Sequence, residues 1–185
     1  MIGQFQLVGC DLFTAGLNNS HSGNLSVRLG DRLLITRTGS MLGHLQEADL
    51  IETGLFQDDA NTPLASTEIG VHRAIYLKTG ALAVVHAHSP HAVALSLAEN
   101  ELVPADAEGR YLLPRVPVLT PKETIASKEL EDTLPPALRE CKIAVVRGHG
   151  SFAAGKTLEE AYKWTASLEH SCRISFLARL TGCRG

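Results

Sequence analysis

An α/β sandwich built around one sheet is the fold this 185-residue sequence predicts, and three observations predict it. Short apolar runs of strand length at 25–29, 32–36, 81–85 and 143–146 are interleaved with helical patterns. Two of those runs flank Gly30-Asp31, a two-residue hairpin turn, so at least one pair of strands is antiparallel. No internal repeat interrupts the pattern, and a chain that is 44% hydrophobic at this length fills one core, so residues 1–185 are expected to form a single domain.

The elements follow in order. Phe5, Val8, Leu12 and Phe13 recur at helical spacing between Gln4 and Gly16, where glycine supplies a stop. A polar loop, 18–24, leads into the hairpin, and a second, 36–40, follows it; Asp49 to Thr53 reads as a further strand, and 58–63 is a loop by its turn chemistry. Ser66-Thr67-Glu68 opens a helix with Ile69, His72, Ile75 and Tyr76 on one face, ending near Lys78 and Gly80. Ser89-Pro90 suits an N-cap and first turn, predicting a helix over 90–98. The proline-punctuated stretch 104–121 is expected to be irregular, 127–139 helical and 143–147 a strand. Thr157-Leu158-Glu159-Glu160 is a capping box before a long final helix carrying Trp164, Leu168 and Cys172.

Composition excludes several functions. A formal charge of −3 without a Lys/Arg cluster gives no general attraction to nucleic acid or to an anionic membrane. Cys10, Cys141, Cys172 and Cys183 form no Cys-x-x-Cys pair, which argues against ribbon, redox and disulfide frameworks and for a reducing compartment. No basic-then-apolar leader opens the chain, and no stretch reaches the roughly 18–20 apolar residues of a membrane span, so a soluble cytoplasmic protein is expected.

The most informative motif is His86-Ala-His88 at the end of the run 81–85. Two residues apart on a strand, side chains share a face, so the two imidazoles form half of a metal site. The best third ligand is His149, in a glycine turn after the run 143–146. Three neutral imidazoles leave a coordination position open, as a catalytic zinc site requires. Each histidine alone also has a plain reading as a satisfied core or surface residue, and that is the reading for His44, His72 and His170. His91 sits on the helix after Ser89-Pro90, lining the site or facing solvent. Glu68 alone reads as a first-turn glutamate that favours the helix dipole. The loops 22–24, 38–40 and 66–67 are ordinary turns and a cap, or, if they converge, a cradle of hydroxyls and backbone N–H groups for phosphate.

Taken together, Ser22-Gly23-Asn24-Leu25-Ser26-Val27-Arg28, Leu34-Ile35-Thr36-Arg37-Thr38-Gly39, Ser66-Thr67-Glu68, Val84-Val85-His86-Ala87-His88-Ser89 and Gly148-His149-Gly150 stand in the order and approximate spacing of the class II aldolase/adducin family. The sequence resembles that family from its first helix to about residue 180. The resemblance implies a three-layer αβα sandwich with a mixed, largely antiparallel central sheet, and a homotetramer with active sites at subunit interfaces. It implies Zn2+, or another divalent ion such as Mn2+, Fe2+ or Co2+, held by His86, His88 and His149. It makes Glu68 the acid/base carboxylate and gives substrate phosphate to Asn24, Thr38, Gly39, Ser66 and Thr67. The implied activity is reversible cleavage of a ketose 1-phosphate to dihydroxyacetone phosphate and an aldehyde through a metal-stabilised enediolate. The alternatives are a sugar-phosphate dehydratase, epimerase or decarboxylase on the same site, or a non-catalytic scaffold of the adducin kind. Three departures bear on the substrate: Val118 stands where the fuculose-phosphate branch has a proton-donating tyrosine, His21 replaces a small hydroxyl residue, and Arg37 replaces a common proline.

Overall fold

The computed structural model describes residues 1–182; Cys183 lies outside the described residues. Its centre is an eight-stranded sheet of β1 (Asn24–Leu29), β2 (Arg32–Thr36), β3 (Leu50–Gly54), β4 (Ala83–Ala87), β5 (Glu101–Leu102), β6 (Val116–Leu119), β7 (Ile143–Val146) and β8 (Gly150–Gly155). Their order across the sheet is β3-β2-β1-β4-β8-β7-β6-β5, and every neighbouring pair is antiparallel except β6 with β7. The six helices are α1 (Ile2–Thr14), α2 (Ile69–Lys78), α3 (Pro90–Ser96), α4 (Ala107–Leu112), α5 (Lys128–Glu140) and α6 (Leu158–Leu180).

Strand alternation divides the core into two layers. Leu25, Val85, Val145 and Ala153 point to one face, where they meet Phe5, Val8 and Leu12 of α1, Ala92 and Leu95 of α3, and Leu158, Trp164, Leu168 and Cys172 of α6. Val84, Ala144, Val146 and Phe152 point to the other, against Val71, Ile75 and Tyr76 of α2 and Leu130, Leu134 and Leu138 of α5. This is the three-layer arrangement, with a mixed and mostly antiparallel sheet, that the resemblance implies.

Two segments differ from expectation, each for a physical reason, and a third, α5, is helical as expected in spite of two prolines. The stretch 104–121 holds α4 and β6, and the strand accepts Pro117 because its neighbour there is the two-residue edge strand β5. The sequence Gly150-Ser-Phe-Ala-Ala-Gly155 has little intrinsic strand preference, yet pairing with both β4 and β7 makes it a central strand. Helix α5 contains Pro135 and Pro136; the Glu131 carbonyl that Pro135 cannot serve accepts a hydrogen bond from Lys78 Nζ at 3.0 Å instead.

The register positions the site. Asn24 of β1 lies opposite His86 of β4, and His86 lies opposite Phe152 of β8, so the three side chains form one row on the α2 face of the sheet.

Candidate metal centre

His86 and His88 leave the end of β4 on one face, as their spacing requires. His149 arrives from the turn between β7 and β8, where Gly148 takes φ +67°. One ring nitrogen from each of the three lies within 4.8 Å of the other two. The rings form a nearly equilateral triangle, with centroids 4.8, 4.8 and 4.9 Å apart. Gly150 allows this approach: a Cβ there would sit 2.5 Å from the Ala87 carbonyl oxygen and 3.1 Å from ring carbons of both His86 and His88.

Neighbouring groups orient the rings. The Ser151 carbonyl, which can only accept, lies 3.0 Å from His86 Nδ1; that nitrogen therefore carries the proton, and the Nε2 lone pair is left facing the site. Phe152 stacks on the His86 ring at 4.1 Å and 15°. His88 N–H donates to Asn18 Oδ1 at 2.8 Å, tying the strand end to the loop before β1. Burial, followed by the neighbouring His88 and His149, pushes His86 well below the usual histidine range. Burial and His149 push His88 down to about 4. Both rings are therefore neutral at physiological pH, the form that ligates a metal.

Glu68 occupies the N-cap position of α2 but makes no side-chain capping bond. Its carboxylate is 4% exposed and turns inward: Oε2 accepts from Asn24 Nδ2 at 2.9 Å and lies 3.1 Å from His86 Nε2, while Oε1 lies 4.0 Å from His149 Nε2. The first-turn dipole reading is thus incomplete, because the side chain serves the cleft. Among buried polar atoms, Glu68 Oε1 and His149 Nδ1 make no hydrogen bond. A buried carboxylate beside neutral imidazoles, with a free oxygen and no cation partner, is costly unless a cation compensates it. The donor set fits a divalent ion on these grounds.

The triad forms the floor of an open cleft of about 180 Å³, and the walls come from the polar loops. Thr38, Gly39, Ser66 and Thr67 line it, with Ser22, Gly23, Arg37 and His21 beside them, so the loops do converge. Arg37 donates from Nε to the Ala48 carbonyl at 3.1 Å. Ile125 contributes an exposed apolar edge next to Ala126, which holds φ 49°.

The sequence model described as "Class II Aldolase and Adducin N-terminal domain" matches residues 5–176. The chain belongs to this family. An L-fuculose phosphate aldolase of Methanocaldococcus jannaschii is 32% identical over 158 residues, covering 84% of each chain. A methylthioribulose-1-phosphate dehydratase of Acidiphilium cryptum is 33% identical over 181 residues, covering 88% of this chain and 83% of the relative. The crystal structure of L-fuculose-1-phosphate aldolase from Thermus thermophilus superposes with a TM-score of 0.92 at 41% identity, covering 99% of this chain and 96% of that one.

Within this class II aldolase domain, Asn24 lines the cleft beside the other cradle residues, and its side-chain amide also donates one N–H to Glu68 and accepts from His72. His72 is the satisfied core histidine of the plain reading, fully buried between Asn24 Oδ1 and Ser26 Oγ; its partners, however, lead directly to Glu68. His91 does not line the cleft: its half-buried ring pairs with Glu169 of α6 at 2.6 Å. Val118 packs into the core layer of α6, and Tyr111, 85% exposed on α4, lies outside the cleft. The sequence reading assigns Asn18, Ser26 and Tyr76 no part in the site; no local pattern marks a residue whose partner is 50 or 70 positions away.

Proposed function

We propose that the protein cleaves a ketose 1-phosphate reversibly to dihydroxyacetone phosphate and an aldehyde. The observation that carries this is one cleft in which three imidazoles, a buried carboxylate and hydroxyl-bearing loops face the same space. His86, His88 and His149 would hold Zn2+ or a similar divalent ion, which supplies Lewis-acid polarisation of the substrate carbonyl and stabilises negative charge on its oxygens. All three ligands being neutral, they leave the ion's charge uncancelled.

Thr38, Gly39, Ser66 and Thr67 would hold the phosphate through hydroxyl and backbone N–H groups, with Arg37 supplying nearby positive charge. Asn24 belongs to that set through the second N–H of its amide, the first being donated to Glu68. As the C3–C4 bond breaks, the C4 hydroxyl loses a proton and C3 gains one. Glu68 is the carboxylate among the residues lining the cleft, and in this reading its free Oε1 handles the proton at C3.

Elimination of water from a related sugar phosphate is the second reading. Two observations favour it: the similarity to a methylthioribulose-1-phosphate dehydratase over 88% of the chain, and a cleft lining without tyrosine among the described residues. A scaffold role is disfavoured, because a scaffold has no use for a buried carboxylate converging with three imidazoles. The homotetramer is carried into this reading from the family resemblance. No described helix is long and apolar enough to cross a membrane, and the described cysteines are unpaired, which supports a reducing, cytoplasmic setting.

Incubating the metal-loaded protein with a panel of ketose 1-phosphates tests the reading. Dihydroxyacetone phosphate and an aldehyde should appear in equal amounts. Loss of water without either product would replace cleavage by elimination.

A further inference from the structure

We propose that His72 is a positioning residue for Glu68: it fixes the Asn24 side chain so that the amide NH2 group, and not the carbonyl, faces the carboxylate. The inference rests on the proposed acid–base role of Glu68 and is carried by a buried chain of hydrogen bonds whose direction is determined at every link.

Asn24 Oδ1 can only accept, so His72 Nε2, 2.5 Å away, must be the donor. Burial pushes His72 down to about 3, so the ring is neutral and Nδ1 must accept. The group facing Nδ1 is the Ser26 hydroxyl at 2.6 Å, which therefore donates. With its proton committed, Ser26 Oγ accepts from the Tyr76 hydroxyl, also at 2.6 Å. Burial raises Tyr76 above its ordinary range, so the phenol keeps the proton that it donates. The resulting order is Tyr76 to Ser26 to His72 to Asn24 to Glu68, with Asn24 Nδ2 donating to Oε2 at 2.9 Å.

Tyr76, Ser26 and His72 are fully buried, so water does not compete for the links among them. Rotating the amide by half a turn would set carbonyl against carboxylate at Glu68 and would require His72 to move its proton to Nδ1, reversing the donation from Ser26. The first contact is repulsive and the second undoes the Tyr76–Ser26–His72 order, so the chain favours one orientation. That orientation anchors one carboxylate oxygen and leaves the other free: Oε2 is held by Asn24, while Oε1 has no hydrogen bond and faces His149. A proton-transferring oxygen needs this combination of fixed position and an available lone pair.

Histidine 15N NMR of the full chain tests the direction of the chain without turnover. His72, assigned by its absence from the His72→Phe spectrum, should be the neutral Nε2–H tautomer from pH 5.5 to 8, and the Asn24 side-chain amide protons should exchange slowly in wild type and faster in His72→Phe. The second arm is a double-mutant cycle. His72→Phe should lower kcat about 10- to 100-fold with KM within about 2-fold and metal content unchanged; combined with Asn24→Ala it should be no worse than Asn24→Ala alone. His72→Gln, which keeps an N–H donor, should recover part of the loss, and it carries both arms if His72→Phe does not fold. A charged or Nδ1–H ring, amide protection indifferent to residue 72, or additive losses would overturn the proposal. Absence of any sugar-phosphate turnover would sink the reading of function alone, since the NMR arm still decides what orients Asn24.

Discussion

Replacing Gly150 by alanine should loosen the metal site without touching a ligand. The added Cβ would meet the Ala87 carbonyl oxygen at 2.5 Å, where contacts below 3.0 Å force a shift, so β4 and β8 must part by about 0.5 Å at this point. Neither atom can move alone, since the oxygen is backbone and the strands are central in the sheet. Ring carbons of His86 and His88, at 3.1 Å, must give as well. Ligand distances tolerate only about ±0.2 Å, so a 0.5 Å displacement exceeds what the site can absorb, and divalent-metal affinity should fall roughly 10- to 100-fold. Overpacking of this kind costs about 1–3 kcal/mol, which for a chain of this size lowers Tm by roughly 3–10 °C. Chelator competition with Zn2+ reads the first quantity and thermal melting of the metal-free protein the second. Gly3→Ala is the control: nothing lies within 4 Å of its Cβ and it sits in α1, so stability should hold or rise slightly. A Gly150→Ala protein with wild-type zinc affinity and an unchanged melt would refute the steric argument.

The remaining predictions concern charge, pH and assembly. Glu68→Gln should fold, keep the Asn24 hydrogen bond and bind metal, yet lose roughly 100-fold or more in turnover, with metal content measured alongside the rate. His72, pushed down to about 3, and His88, pushed down to about 4, unfold into groups near 6.5, and His86 behaves likewise. Between those values the unfolded chain binds more protons, so stability is fully present above about pH 6.5 and declines toward pH 4, by up to roughly 1.4 kcal/mol per pH unit for each ring. Melts of metal-free protein across that range check the sign, and a flat profile would contradict it. Light scattering should report about 79 kDa for four chains of 19.8 kDa, with Leu97→Asp or Leu177→Asp shifting the mass downward if those exposed side chains lie at the interface.

Local pattern carried much of the fold. The hairpin at Gly30-Asp31, the strand 143–146 and the cap at Thr157 appear where periodicity and turn chemistry put them, because each depends on neighbours within a few residues. Strand β8 did not announce itself: glycines and alanines lie in a central strand only because β4 and β7 both pair with them. Nor did 104–121, where four prolines and a short edge strand obscure both α4 and β6.

The same division runs through the site. That His86 and His88 share a face follows from strand parity alone, since alternation is a property of the extended backbone and needs no partner. That His149 joins them depends on the pairing of β4 with β8, a contact between segments 65 residues apart in the chain. Folding also chose between the two meanings of Glu68 and of His72. A first-turn glutamate became an inward-facing carboxylate, and a plain core histidine became its remote support, because burial removed water as a partner and left each group only the few donors and acceptors that the sheet register had placed within reach.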